Sequence, residues 1–130
     1  MDEESIISEV GQYFANQAGD RIAAYVFGSV ARRTSGPSSD VDIAVLFAVP
    51  PAPTLAGLPL ETEAGLEQLL GRPVQVVVLN GAPVDLVHRV LRDGVLVYEA
   101  DRAARVNFEV AARREYLDLL PILRRYRKAA

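Results

Sequence analysis

Two apolar runs, with polar signals at the end of one and the start of the other, constrain this chain more than anything else in it. Tyr25-Val26-Phe27 ends in Gly28-Ser29, and after ten further residues Asp40-Val41-Asp42 opens the run Ile43-Ala44-Val45-Leu46-Phe47. Apolar runs of this kind, bounded by turn residues, read as β-strands. In a strand, residues i and i+2 share a face and lie about 7 Å apart. Asp40 and Asp42 therefore present two carboxylates side by side. Two such charges within about 4 Å repel by a few kcal/mol at an effective dielectric of about 20, and a divalent cation removes that repulsion. Hard oxygen ligands suit Mg²⁺, which takes one or two carboxylates together with substrate phosphates. A Gly-Ser turn offers backbone N–H groups and a hydroxyl, the chemistry that holds phosphate. The plainer reading makes Ser39-Asp40-Val41-Asp42 a capped turn and Gly28-Ser29 an ordinary loop, since Ser and Asp favour turns. The two features together, with Arg32, Arg33, Thr34 and Ser35 between them, favour a nucleoside triphosphate held between the turn and an Asp-bound metal.

The stretch YVFGSVARRTSGPSSDVDIAVLF, residues 25 to 47, resembles the signature of the DNA polymerase beta-like nucleotidyltransferases. Its spacing of Gly-Ser, ten residues and Asp-x-Asp is most similar to the minimal nucleotidyltransferase (MNT) branch, whose members are the antitoxins of HEPN/MNT toxin–antitoxin pairs. Arg72-Pro73-Val74 to Asn80, Pro83 to Tyr98, Phe108-Glu109 and Tyr116-Leu117-Asp118 resemble later segments of that branch, so the likeness covers most of the chain. It implies an α/β (α+β) nucleotidyltransferase fold: a small mixed sheet flanked by helices, with a long C-terminal helix.

The resemblance also implies roles. Gly28, Ser29 and Arg32 would bind nucleotide; Asp40 and Asp42 would hold Mg²⁺; Ser29, Asp40 and Asp42 form the catalytic set, with ATP as substrate. Glycine at position 28 would let phosphates approach closely. Arg32 or Arg33 would neutralise a phosphate oxygen, although the family often carries glycine at the position of Arg33. Related enzymes use a third carboxylate on a neighbouring strand, and the matching segment here is Val74-Gln75-Val76-Val77. Gln75 stands where the acid is expected. An amide oxygen can ligate a metal, but it carries no charge and is no base. Glu61, Glu63, Glu67 and Asp85 lack the spacing to replace it. The first three read as the exposed face of a helix, and Asp85 suits a helix N-terminus. His88, Tyr116 and Tyr126 read as packing residues.

Two functions follow from the resemblance. One is an enzyme, a protein adenylyltransferase that moves AMP from ATP to a tyrosine hydroxyl of a cognate HEPN ribonuclease toxin. The other is a catalytically impaired antitoxin that neutralises the toxin by stoichiometric binding, through a C-terminal helix spanning about 101–128. Transfer to a small molecule such as an aminoglycoside is a third reading, for which a chain of 130 residues leaves little room.

Composition narrows the field. The length suits one domain, residues 1–130, with a real core. Half the residues are apolar and 24% are charged, which argues against disorder. With no cysteine and one histidine, His88, disulfides and thiolate metal sites are excluded and zinc is disfavoured. No apolar run reaches membrane-spanning length, and the acidic start Met1-Asp2-Glu3-Glu4 is unlike a secretory leader. Both point to the cytoplasm. Residues 1–100 hold 6 basic and 13 acidic side chains, whereas residues 101–130 hold 8 basic and 4 acidic. An acidic body does not suit direct DNA binding. The basic end reads either as a solvated helix face or as a contact for an acidic partner or RNA.

Along the chain, a helix is expected from Asp2 to about Ala18, with Ile6, Val10, Tyr13, Phe14 and Ala18 on its inner face. Strands follow at Ile22–Phe27 and Asp40–Phe47. Pro50, Pro51, Pro53 and Pro59 make Ala48 to Pro59 a loop. A helix at Glu61–Leu70, with Leu66, Leu69 and Leu70 apolar, leads to a strand at Val74–Leu79, whose valine content suggests burial on both faces. Pro83 opens a helix to about Arg92 with Val84, Val87, Val90 and Leu91 inward. Val95–Tyr98 is a last strand. Asp101 caps the final helix, with an apolar stripe of Val106, Val110, Leu117, Leu120 and Leu123 and a kink or break at Pro121.

Overall fold

The computed structural model describes residues 2–17, 19–52 and 59–129. Its elements run α1 (Glu3–Ala15), β1 (Arg21–Phe27), α2 (Gly28–Ala31), β2 (Val41–Phe47), α3 (Leu60–Leu70), β3 (Val74–Val78), α4 (Val84–Asp93), β4 (Val95–Glu99) and α5 (Arg102–Ala129). The four strands form one sheet in the order β3-β2-β1-β4. β1 pairs antiparallel with β2 and β4, while β2 pairs parallel with β3. The parallel pair needs a crossover, and α3 supplies it. This is the mixed α/β architecture expected, with helices on both sides of the sheet and a long C-terminal helix. Ala18 of the expected α1 stripe and residues 53–58 of the proline-rich segment lie outside the described residues.

The alternation of side chains along β1 and β2 sorts the core into two layers. Ala24, Val26, Ile43 and Val45 face α1 and α3, against Ile6, Val10, Phe14 and Leu66. Ala23, Tyr25, Ala44 and Leu46 face the other way, against Leu79, Val87 and Val90. Both central strands are covered on both faces, which explains their unbroken apolar runs. α1 begins where Asp2 accepts a hydrogen bond from Ser5 N–H at 2.8 Å. α3 ends at Gly71, which adopts a left-handed conformation with φ +67°.

β3 differs from expectation. It is an edge strand: Val74 and Val76 are buried, but Gln75 is exposed and Val77 and Val78 are only partly covered. Valine content marks a strand without marking its place in the sheet order. On α3, Glu61 and Glu67 are exposed as expected, while Glu63 is partly covered. The Glu67 and Glu63 carboxylates accept the N–H groups of Val74 and Val76 at 3.2 and 3.0 Å. Two backbone donors on this flank are thus satisfied by side chains rather than by another strand. Of the three leucines in its expected apolar pattern, Leu69 is exposed, while Leu66 and Leu70 are buried.

α5 continues through Pro121 to Ala129, so the loss of one N–H donor there does not break the helix. Only part of the expected apolar stripe is covered: Leu120 and Leu123 are partly buried. Phe108 and Ala112 pack on the core, whereas Val106, Val110 and Leu117 are exposed, as is Tyr126 at 73%. A polar network fixes the inner face instead. Arg105 bridges Glu99 on β4 and Glu109 on its own helix, and Tyr25 on β1 donates to Glu109 at 3.2 Å. Burial and the neighbouring Glu109 carboxylate push the Tyr25 hydroxyl well above its usual range. Asp101 caps the helix as expected, accepting Ala104 N–H at 3.0 Å.

Arg33 is the one non-glycine residue with positive φ, at +61°, among the described residues. This left-handed conformation costs a side chain about 1–2 kcal/mol, which explains why glycine suits the position. Its guanidinium pairs with Glu4 at 2.7 Å on the surface, a contact worth at most about 1 kcal/mol. Arg33→Gly and Arg33→Ala both lose the pair, but only the glycine relieves the backbone. We expect Arg33→Gly to melt above Arg33→Ala by about 4 °C. Equal melting temperatures would show that the backbone there is unstrained.

Candidate functional site

The chain reverses at the end of β1, and the sequence dictates how. Gly28 sits at φ +70°, a conformation open to glycine at little cost. A Cβ at this position would lie 2.2 Å from Oδ2 of Asp42. Glycine is therefore required by the seat of the Asp42 carboxylate as well as by the turn. α2 follows, and Thr34 N–H closes the turn on the Ser29 carbonyl at 2.9 Å.

The connection from this turn to β2 is pinned along its length. Ser35 donates from its N–H and hydroxyl to Glu3, at 3.2 and 2.8 Å. Arg72 donates to the carbonyls of Gly36 and Ser39, at 2.6 and 2.8 Å. The loop therefore delivers Asp40 at a fixed point immediately before β2, which begins one residue later than expected, at Val41. Asp42 is opposite Phe27 in the β1–β2 register. It lies on the sheet face that α4 covers, because its neighbours Ala44 and Leu46 pack there.

Gly28, Ser29, Arg32, Asp40 and Asp42 line one cleft of about 460 Å³, within the size range of small-molecule sites, roughly 300–1,000 Å³. All five are residues singled out in the sequence. Arg33 is not among the lining residues; it is turned to Glu4. His88 is also elsewhere, stacked on Tyr116 of α5 with ring centroids 3.6 Å apart, which is the packing role expected of both. Phe27 and Ser39 also line it, and a further wall, Arg89, Arg92 and Asp93, comes from the end of α4 and was not foreseen. Its only sequence signal is the i, i+3, i+4 spacing of polar residues opposite Val87 and Val90.

The electrostatics of the cleft centre on Asp42. Partial burial, and then the nearby Asp40 charge, push its carboxyl above the usual range, while Arg32 opposes them. A pair of acids held together, one of them disfavoured in its charged form, gains by taking up a cation. The donor set, two carboxylates lining the cleft together with Ser29, fits one Mg²⁺. A second ion finds less. Gln75 is the β3 residue opposite Asp42 in the parallel register, but it is an amide, is exposed, and flanks the cleft without lining it. Among the described residues there is no group of three or more His, Cys, Asp or Glu able to hold a metal.

The polymerase beta nucleotidyltransferase profile matches residues 9–103. The chain belongs to this family. A solved protein described as a minimal nucleotidyltransferase is 32% identical, with a TM-score of 0.57, over 73% of this chain and 95% of that one. The fold is also that of a toxin–antitoxin crystal structure with AMP-PNP, at TM-score 0.78 and 24% identity over 99% and 98% of the two chains. It is likewise similar to the complex of tri-AMPylated Shewanella oneidensis HEPN toxin with MNT antitoxin, at TM-score 0.74 and 20% identity over 98% and 97%. No curated protein matches the chain. The matched residues include all of those named above as lining the cleft.

Proposed function

We propose that this chain is an MNT-type antitoxin that binds ATP with Mg²⁺ in the cleft and transfers AMP to a tyrosine hydroxyl of a cognate HEPN ribonuclease toxin in the cytoplasm. The observation that carries the reading is the meeting of Gly28, Ser29, Asp40 and Asp42 around one cleft. In this reading the Gly28 N–H, the Ser29 hydroxyl and the Arg32 guanidinium bind the triphosphate oxygens, and Asp40 and Asp42 hold Mg²⁺. When bound, the ion neutralises charge that develops on the leaving phosphates. The tyrosine oxygen attacks the α-phosphorus, the bond from that phosphorus to the α,β-bridging oxygen breaks, and pyrophosphate leaves. The hydroxyl proton finds no carboxylate at position 75 and passes to water. A bulky anion is thereby fixed on the toxin, where it repels an RNA substrate.

Gln75 supports a second reading, in which transfer is lost and the antitoxin acts by covering the toxin. The exposed Val106, Val110 and Leu117 on α5 suit such a contact. The two readings part in one experiment. The purified chain is mixed with radiolabelled ATP, Mg²⁺ and its cognate HEPN toxin. We expect label on the toxin, absent with Asp42→Ala. No label on the toxin, together with equal rescue of toxin-expressing cells by wild type and Asp42→Ala, would sink the transfer reading in favour of simple binding.

A further inference from the structure

The wall contributed by α4 is basic, and one of its charges has no ion-pair partner among the described residues. Arg89 and Arg92, one helical turn apart, line the cleft with Asp40 and Asp42. Arg92 is engaged by Asp93 through two contacts of 2.9 and 2.8 Å, which offset its charge and orient it. Arg89 makes no salt bridge among the described residues. An arginine on the outer side of a helix ordinarily has water as its partner. This one borders the same cavity as two carboxylates and the Gly28-Ser29 turn.

Resting on the reading of this cleft as a nucleotide site, we infer that Arg89 binds the phosphate chain and supplies the positive charge that a second metal ion would otherwise bring. The charges match. Three carboxylates with two divalent cations leave one positive unit, whereas two carboxylates with one cation leave none. The unit missing with the acid at position 75 is the unit Arg89 adds. A guanidinium also presents a planar fork that pairs with phosphate oxygens in a bidentate way. It cannot accept a proton, so it restores affinity without restoring the base. This chain should therefore hold ATP well and transfer AMP slowly.

The test compares ATP, ADP and AMP, each with Mg²⁺, by calorimetry on wild type, Arg89→Ala, Arg89→Gln, Arg89→Lys and Asp42→Ala. Removing a charged hydrogen-bonding partner should weaken ATP about ten- to hundredfold. AMP should weaken far less, so the preference for a longer phosphate chain collapses. Arg89→Lys should recover part of it, because the charge remains and the fork does not. Melting temperatures should stay near wild type, since the side chain is not buried; Arg89→Gln is the check should the alanine variant not fold. Arg89 variants that keep the wild-type preference, while Asp42→Ala loses ATP, would overturn the role of Arg89 and leave the nucleotide site standing. Wild type that binds none of the three nucleotides would overturn both.

Discussion

Asp42→Asn should make the ligand-free protein more heat-stable while removing its response to ATP and Mg²⁺. Burial and the adjacent Asp40 hold the Asp42 carboxyl above its ordinary pKa. Between that ordinary value and the raised one, the folded chain keeps a proton that the unfolded chain has released. Stability therefore falls as pH rises through this interval and stays reduced above it. Above the raised value the full cost is present, and the amide removes it. Because the cleft is open to solvent, the gain is discounted to at most about 1 kcal/mol, or about 4 °C in melting temperature. The ligand effect is larger. At a ligand concentration of about a hundred times the dissociation constant, binding adds about 2.7 kcal/mol to the wild type, and the Asp42→Asn variant should show none of it. Scanning calorimetry at pH 7, with and without ATP and Mg²⁺, reads both. A lower melting temperature for ligand-free Asp42→Asn would mean that the carboxylate stabilises the fold, contrary to the electrostatics described.

Gln75→Asp should accelerate AMP transfer by about a hundredfold or more, the usual contribution of a positioned base. Position 75 is the β3 neighbour of Asp42 in the parallel register, and adjacent strands lie about 4.8 Å apart. A carboxylate there adds to Asp40 and Asp42 the acid that completes a second metal site. It also adds a third like charge, so the ligand-free variant should be less stable than wild type, with Mg²⁺ restoring the loss. Transfer rate and metal-dependent melting are separate readouts of one placement. A variant that gains neither, measured beside a wild type with detectable transfer, would show that position 75 does not stand where the missing acid belongs.

The parts of the fold that could be read in advance are those governed by local chemistry. β1 and β2 announce themselves because both faces are buried, and Gly28, Asp40 and Asp42 because turn geometry and like charges at i and i+2 have few explanations. The parts that were misread depend on what lies beside an element. β3 is as rich in valine as a central strand, yet it is an edge, because α3 shields it with glutamates. Val106, Val110 and Leu117 form a helical stripe, but the periodicity does not say whether the chain's own core or open solvent meets it; Phe108, with Arg105 and Glu109, takes the inner side. Arg89, Arg92 and Asp93 were missed for the same reason. Their helix is legible, but its placement beside the Gly28 turn is a property of the assembled sheet.

The glutamates of α3 have a consequence beyond this chain. A bare β-strand border is a template on which another polypeptide can grow, and such growth is how sheets become fibrils. Here the amides of Val74 and Val76 are already taken by Glu67 and Glu63, and an approaching strand would meet carboxylates. Sheet extension by another protein is opposed at this border; the opposite border of the sheet is β4.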